Sequence, residues 1–249
     1  MSLKANTNKS KQTKISKAGD SVKFDLHVHS TASIDGLGTP SMIIRNALKR
    51  GLSGLAITDH NNNKAVASVR AVAPEGFIVI PGVEYATDHG HILALFCEKF
   101  AENVSRDSIG RFSLKELAPF IRENGGLLVA AHPYRYKAYL AESEPFGLSP
   151  SLLQQIDGME SVNARDLARS PQIPMRVEEA AKANGLFITG GSDGHVPLEI
   201  GGGYTEFPFD TGRDLASLRQ ALIEGQAIAA GKPGRKIYRL ASRIWRKLK

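Results

Sequence analysis

From residue 24 onward, short apolar runs alternate with longer stretches of helical periodicity, a pattern that predicts repeated β-α units. Runs of strand character cover Phe24 to Val28, Leu52 to Thr58, Phe77 to Ile80, His91 to Phe96, Leu127 to Ala131, Asp157 to Val162 and Leu186 to Thr189, with an eighth over Ala227 to Ala230. Helices are predicted where start and stop signals agree. Pro40-Ser41-Met42 opens one that Gly51 closes, Ser113 with Glu116 reads as a capping box for one ending at Gly125-Gly126, and Pro174 to Asn184 forms a third before Gly185. The first 23 residues are rich in Lys, Ser, Thr, Asn and Gln, cannot bury enough surface to offset chain entropy, and are expected to be disordered. Three segments follow: a basic tail over 1–23, one α/β domain over 24–231, and a basic amphipathic helix over 232–249.

Composition narrows this picture. With 249 residues and 42% hydrophobic content, the chain suits one barrel-sized domain better than two conventional ones. The single cysteine, Cys97, lies in an apolar run and reads as a buried small side chain, which excludes a disulfide framework and fits a reducing, cytoplasmic compartment. No apolar run is long enough for a spanning helix, and the polar start lacks the apolar segment of a signal peptide. The net charge of +7 is unevenly distributed: residues 1–23 carry six lysines against Asp20, and residues 232–249 carry eight Lys/Arg and no acid. The body between them holds 18 basic and 24 acidic residues, so it is acidic and the two ends are basic.

Candidate chemistry concentrates at the ends of the apolar runs. Six of the seven histidines fall in short motifs with carboxylate neighbours: Asp25-Leu26-His27-Val28-His29, Asp59-His60, Gly90-His91, Ala131-His132-Pro133 and Ser192-Asp193-Gly194-His195, with Glu84 after Pro81-Gly82-Val83. His27 and His29, two apart on a strand, point the same way and could chelate one ion, although same-face histidines are also ordinary half-buried strand residues. Asp25 could orient one of those imidazoles or simply face solvent, and Asp59-His60 before Asn61-Asn62-Asn63 could be no more than a turn. Their conjunction points further. In a β/α barrel the loops after successive strands converge on one end, so residues more than 160 positions apart can meet there. Imidazoles with interleaved carboxylates suit zinc, iron or manganese and allow one carboxylate to bridge two ions. Gly201-Gly202-Gly203 lacks the lysine and helix start of a phosphate loop and reads as a flexible turn.

The motifs Asp25-Leu26-His27-Val28-His29-Ser30, Ile57-Thr58-Asp59-His60, Pro81-Gly82-Val83-Glu84, Gly90-His91, Ala131-His132-Pro133-Tyr134-Arg135, Met159-Glu160-Ser161-Val162-Asn163-Ala164-Arg165 and Gly191-Ser192-Asp193-Gly194-His195, in that order, resemble the polymerase-and-histidinol-phosphatase (PHP) superfamily of metal-dependent phosphoesterases over about residues 24–210. The resemblance implies a distorted seven-stranded β/α barrel with three divalent ions, zinc, manganese or iron, at the carboxyl end of the strands. It implies one ion on His27, His29, Glu84 and Asp193, a second on Glu84, His91 and His132, and a third on His60, His195 and Asp35. A hydroxide shared between two ions would be the nucleophile. Arg135 and Arg165 are candidate phosphate clamps, with surface salt bridges as the plainer reading, and Asn163 is a candidate for orienting substrate. His89 fits no ligand position and reads as a loop histidine. The expected substrate is a phosphorylated small molecule, a nucleotide or a nucleic-acid end, with Tyr134 to Pro150 shaping the choice.

The C-terminal segment places Ile237, Leu240, Ala241, Ile244, Trp245 and Leu248 on one helical face opposite a basic one. Packing of that apolar stripe onto the barrel is expected, with membrane-surface or RNA contact as alternatives. A second class of function is a non-catalytic barrel binding nucleic acid or an anionic membrane through its basic ends. None of the nine ligand positions is visibly replaced, which favours the enzyme.

Overall fold

In the computed structural model, residues 21–135 and 149–249 are described. The chain runs β1 (Ser21–Val28), α1 (Pro40–Lys49), β2 (Gly54–Ile57), α2 (Val66–Val72), β3 (Ile78–Thr87), β4 (Gly90–Leu95), α3 (Leu114–Glu123), β5 (Leu127–Ala130), α4 (Pro150–Leu153), β6 (Gly158–Asn163), α5 (Ala164–Leu167), α6 (Ile173–Ala183), β7 (Phe187–Gly191), β8 (Gly203–Pro208), α7 (Leu215–Ile223), β9 (Ile228–Gly231) and α8 (Lys236–Leu248). The strands form one sheet in the order β7-β6-β5-β4-β3-β2-β1-β8-β9. Beyond its pairing with β8, β1 meets the segment after β7: His29 N–H donates to the Gly194 carbonyl (3.0 Å) and Gly194 N–H to the His27 carbonyl (3.3 Å). These bonds close β1 to β7 into a seven-stranded ring, and β8-β9 extend from its rim.

Packing explains the closure. Phe24 and Leu26, Leu93 and Leu95, Val129, Phe187 and Phe207 share one buried cluster, with Phe24 edge-on to Phe207 at 5.4 Å between ring centroids. Each such side chain contributes about 1.5–3 kcal/mol of burial. A second cluster lies under α3 and α6, where Leu117, Ile121, Val177 and Ala181 meet Ile92 and Met159, and a third lies under α1 and α2. At the seam a Cβ on Gly203 would collide with the Gly191 carbonyl and one on Gly190 with that of Tyr204. Gly201 and Gly202 form the expected turn, with Gly201 at φ 74°, and Gly203 begins β8 in close packing against Gly191.

Other expectations change. The sheet is mixed: β4 runs antiparallel to both β3 and β5. β3 extends through the Pro81 to Glu84 motif, pairing parallel to β2 as far as Pro81 and antiparallel to β4 from Gly82. β8, absent from the expected strands, alternates buried and half-buried positions and pairs with Ser21 to Phe24. Ser21 to Lys23 thus belong to the sheet and not to the tail, whose first 20 residues lie outside the described ones, as do residues 136–148 of the expected substrate loop. At α3 the capping box does not form. Ser113 makes no side-chain cap, and Glu116 accepts from the backbone and hydroxyl of Ser105.

The largest correction concerns α8. Its apolar stripe faces solvent, with Ile237 60% and Leu248 76% exposed, and only Ser242 is buried. The helix docks by polar contacts. Arg165 Nη2 donates to Ser242 Oγ (3.3 Å), Arg239 Nη1 to the Arg165 carbonyl (3.1 Å), and Lys249 Nζ to the carbonyls of Thr31 and Ser33 (both 2.9 Å). Among the described residues no helix is long and apolar enough to cross a membrane.

Candidate metal centre

The ring brings all nine expected ligands to one end. His91 is the second residue of β4, and because β4 runs against its neighbours, its amino end lies with the carboxyl ends of the others. Glu84 lies within β3 but beyond the end of β2, where it bridges to His60. It is the hub: Oε1 lies 2.7 Å from His91 Nδ1 and 3.0 Å from His132 Nε2, and Oε2 lies 3.0, 3.2 and 3.4 Å from His60 Nδ1, His29 Nε2 and His27 Nε2. Asp193 Oδ1 lies 3.4 Å from His29 Nε2 and 3.7 Å from His27 Nε2, and Asp35 Oδ1 lies 3.4 Å from His195 Nε2 and 3.6 Å from His60 Nε2.

Ligand atoms within 4.8 Å of one another fall into four sets: His27/His29/Asp193, His27/Glu84/His132, His60/Glu84/His91 and His29/His60/His195. Only the first stays within one of the groupings implied by the resemblance. The second and third join residues of different groups through Glu84, and the fourth sets His29 of the first group beside His60 and His195 of the third. Two observations fit cations. Glu84 Oε2 and Asp35 Oδ1 are buried and accept no well-formed hydrogen bond, although imidazole nitrogens surround both. Lone-pair atoms gathered around a common point, and not paired with one another, mark a place for positive charge.

His27, His29 and His195 are held at Nδ1 so that Nε2 points inward, whereas His60 and His91 turn Nδ1 toward Glu84. His27 Nδ1 lies 2.9 Å from Glu160 Oε1, His195 Nδ1 donates to the Asp193 carbonyl (2.9 Å), and His29 Nδ1 lies 3.2 Å from Ser33 Oγ. Ser33 Oγ in turn donates to Asp59 Oδ1 (2.7 Å), which also accepts from the Ser30 and Ser33 N–H groups. Asp25 does not orient an imidazole: its carboxylate accepts the backbone N–H groups of His27, Ser192 and Gly201, fastening β1 to the loops after β7. The residue in the orienting role is Glu160, whose signal was a carboxylate in the middle of an apolar strand. Register shifts in β1 between Asp25 and Val28, and in β6 between Glu160 and Val162, re-aim these side chains. His132 and Asp193 hold positive φ (33° and 53°), backbone strain of the kind that gathers at functional sites.

Buried carboxylates govern the protonation of the cluster. Burial would lower His27 and His29, but Glu160, Glu84 and Asp193 hold His27 well above its usual range, and Asp193 and Glu84 raise His29 to about 9. Burial and the Arg135 charge push His132 down to about 3, and burial with His29 lowers His195 to about 4. Against the cost of burial, imidazole charges hold Glu84 well below the carboxylate range, and Arg135 and His27 do the same for Asp193. The carboxylates demand positive charge, which divalent ions would satisfy while leaving the imidazoles neutral.

The two expected phosphate clamps are engaged by the protein. Arg135 Nε donates to Asp166 Oδ1 (2.8 Å), its Nη2 to Asn163 Oδ1 (3.0 Å), and its Nη1 lies 2.6 Å from Asp193 Oδ2. Arg165 forms a two-pronged pair with Glu199 (2.9 and 2.7 Å). Both still line a cavity of about 970 Å³ above the cluster. Asn163 is buried and fully occupied: it accepts the Arg165 and Asp166 N–H groups at the start of α5 and donates to Glu160 Oε2. It is not among the residues that line the cavity. His89 stands apart, between Asp88 and Ser151.

Comparison with known proteins accords with this geometry. The PHP domain family matches residues 25–224. A protein of Methanocaldococcus jannaschii is 30% identical over 154 residues, 57% of this chain and 82% of its own length. The 5'-3' exoribonuclease Rnm of Escherichia coli is 37% identical over 100 residues, 34% of each chain. Among solved structures, a two-domain protein of Bacteroides vulgatus containing a predicted PHP-like metal-dependent phosphoesterase superposes with a TM-score of 0.70 at 21% identity, over 90% of this chain and 69% of its own, a likeness of fold.

Proposed function

The chain belongs to the PHP domain family of metal-dependent phosphoesterases, and from that premise we propose that it hydrolyses a phosphate ester at a centre of three divalent ions, zinc, manganese or iron. The supporting observation is Glu84, a buried carboxylate with five imidazoles within 3.4 Å of its two oxygens. His27, His29, Glu84 and Asp193 would hold one ion, Glu84, His91 and His132 a second, and His60, His195 and Asp35 a third. Bound divalent ions supply Lewis acidity and lower the pKa of a coordinated water toward about 7. The chain's own residues do the rest. Glu160 fixes the His27 tautomer, Asn163 holds Glu160 beside Arg135, and Arg135 and Arg165, immobilised by carboxylates, present fixed positive charge to a phosphate entering the cavity. The substrate is a phosphomonoester, a nucleotide or a nucleic-acid end, the last supported by the partial likeness to an exoribonuclease. The lone buried Cys97 fits the cytoplasm as its compartment.

A hydrolysis screen with Mn²⁺ across sugar phosphates, nucleotides and short 5'-phosphorylated RNA, reading phosphate or nucleotide release, tests this. Turnover of at least one class is expected. Inactivity of the fully metallated protein on every class would overturn the proposal.

A further inference from the structure

The matched family region ends at residue 224, yet the wall of the cavity does not. Lys236, Arg239, Arg243 and Arg246 of α8 line it, half of the eight basic residues that follow residue 231. They recur at intervals of three or four residues, so they form one stripe along the helix. From Lys236 to Arg246 the stripe rises about 15 Å, at about 1.5 Å per residue. Arg169 and Arg165 continue the basic surface toward the metal cluster. α8 is held in this orientation by the contacts of Arg239, Ser242 and Lys249, which turn the stripe toward the cavity, with Leu240 beside it, and leave Ile237, Ile244 and Leu248 outside.

A single phosphate at the cluster needs no such wall. Arg135 and Arg165 already stand beside it, and four further cations leading away from it match a chain of phosphates. We infer that α8 is the substrate-reading element of this enzyme, its basic stripe binding the backbone phosphates of a single-stranded oligonucleotide whose terminal phosphate group lies at the metal centre. The inference rests on the phosphoesterase reading above and narrows its substrate class. An anionic membrane could take up the exposed apolar face of α8, but it would not account for four cations of that helix lining the same cavity as His60, Glu84, His91 and Asp193.

The test compares the full-length protein with two triple variants. One removes exposed stripe residues that make none of the docking contacts above, Lys236→Ser, Arg243→Ser and Arg246→Ser. The other is charge-matched and distant, Lys49→Ser, Lys115→Ser and Lys182→Ser, all exposed helix positions outside the cavity. A 5'-phosphorylated, fluorescent single-stranded oligonucleotide is titrated at several salt concentrations, and kcat/KM is measured for it and for a mononucleotide. The stripe variant is expected to flatten the slope of log affinity against log salt by about 2, from three lost phosphate contacts on a single strand. Its oligonucleotide-to-mononucleotide ratio of kcat/KM should fall at least tenfold, while the distant variant stays within twofold of the parent in slope and ratio. An unchanged slope and ratio in the stripe variant, an equal loss in the distant variant, or preferential binding to anionic vesicles would overturn the inference. Failure of the parent on both substrates would count against the phosphoesterase reading instead. Mononucleotide turnover without oligonucleotide turnover would overturn this inference alone.

Discussion

Glu160 shows what a single carboxylate does when its neighbours are fixed. It is buried, it holds His27 Nδ1 with one oxygen, and it accepts His132 N–H and Asn163 Nδ2 with the other. Glu160→Gln keeps the shape but replaces an anionic acceptor with a neutral amide, weakening the preference for the His27 tautomer whose Nε2 lone pair faces the cluster. Metal affinity measured by competition with a chelator should fall about 10- to 100-fold, the usual cost of losing such a partner. Unchanged affinity in the folded variant would remove Glu160 from the site. At this scale much was legible in the sequence: the nine candidate ligands converge as the motifs implied. Glu160, Asp166 and Glu199 were missed as partners because a carboxylate that supports another side chain carries no spacing of its own. Asp25 was misplaced because its partners are backbone N–H groups, which every residue has.

Among elements, the strands with strong apolar runs were readable, and those defined by pairing were not. β8 escaped because it starts at Gly203, directly after a true turn at Gly201-Gly202, and what makes Gly203 a strand residue is its packing on the Gly191 backbone. The direction of β4 is set by the short turn after β3, which composition does not reveal. α8 was read correctly as an amphipathic helix and wrongly as docked by its apolar stripe, since periodicity identifies two faces but does not say which one meets the protein. Its docking rests on a few polar contacts, each worth about 0.5–1.5 kcal/mol or more where a charge takes part. Deleting residues 236–249 should therefore leave the barrel folded, with a urea-unfolding free energy within about 3 kcal/mol of the full chain. A deletion protein that cannot fold would show that α8 covers part of the core.

At the scale of the whole molecule, charge and closure meet at one end of the ring. An acidic body carries buried carboxylates at the strand ends, and cationic side chains from the segment after β5, from α5 and from α8 surround the cavity above them. The ring must close for the site to exist, because His27 and His29 come from β1 while Asp193 and His195 follow β7, and the Gly194 hydrogen bonds join the two. We propose that the nine side chains hold a multinuclear metal cluster on which turnover depends. The most direct measurement strips the protein with a chelator, titrates it with Mn²⁺, and counts bound ions by elemental analysis alongside phosphoester hydrolysis, in parallel with His27→Ala and Asp193→Ala. About three ions per chain are expected, with activity rising as they bind, and both fewer ions and little turnover in each variant. A protein that binds no transition metal and is rescued by no divalent ion, or full metal content and full turnover in both variants, would contradict it.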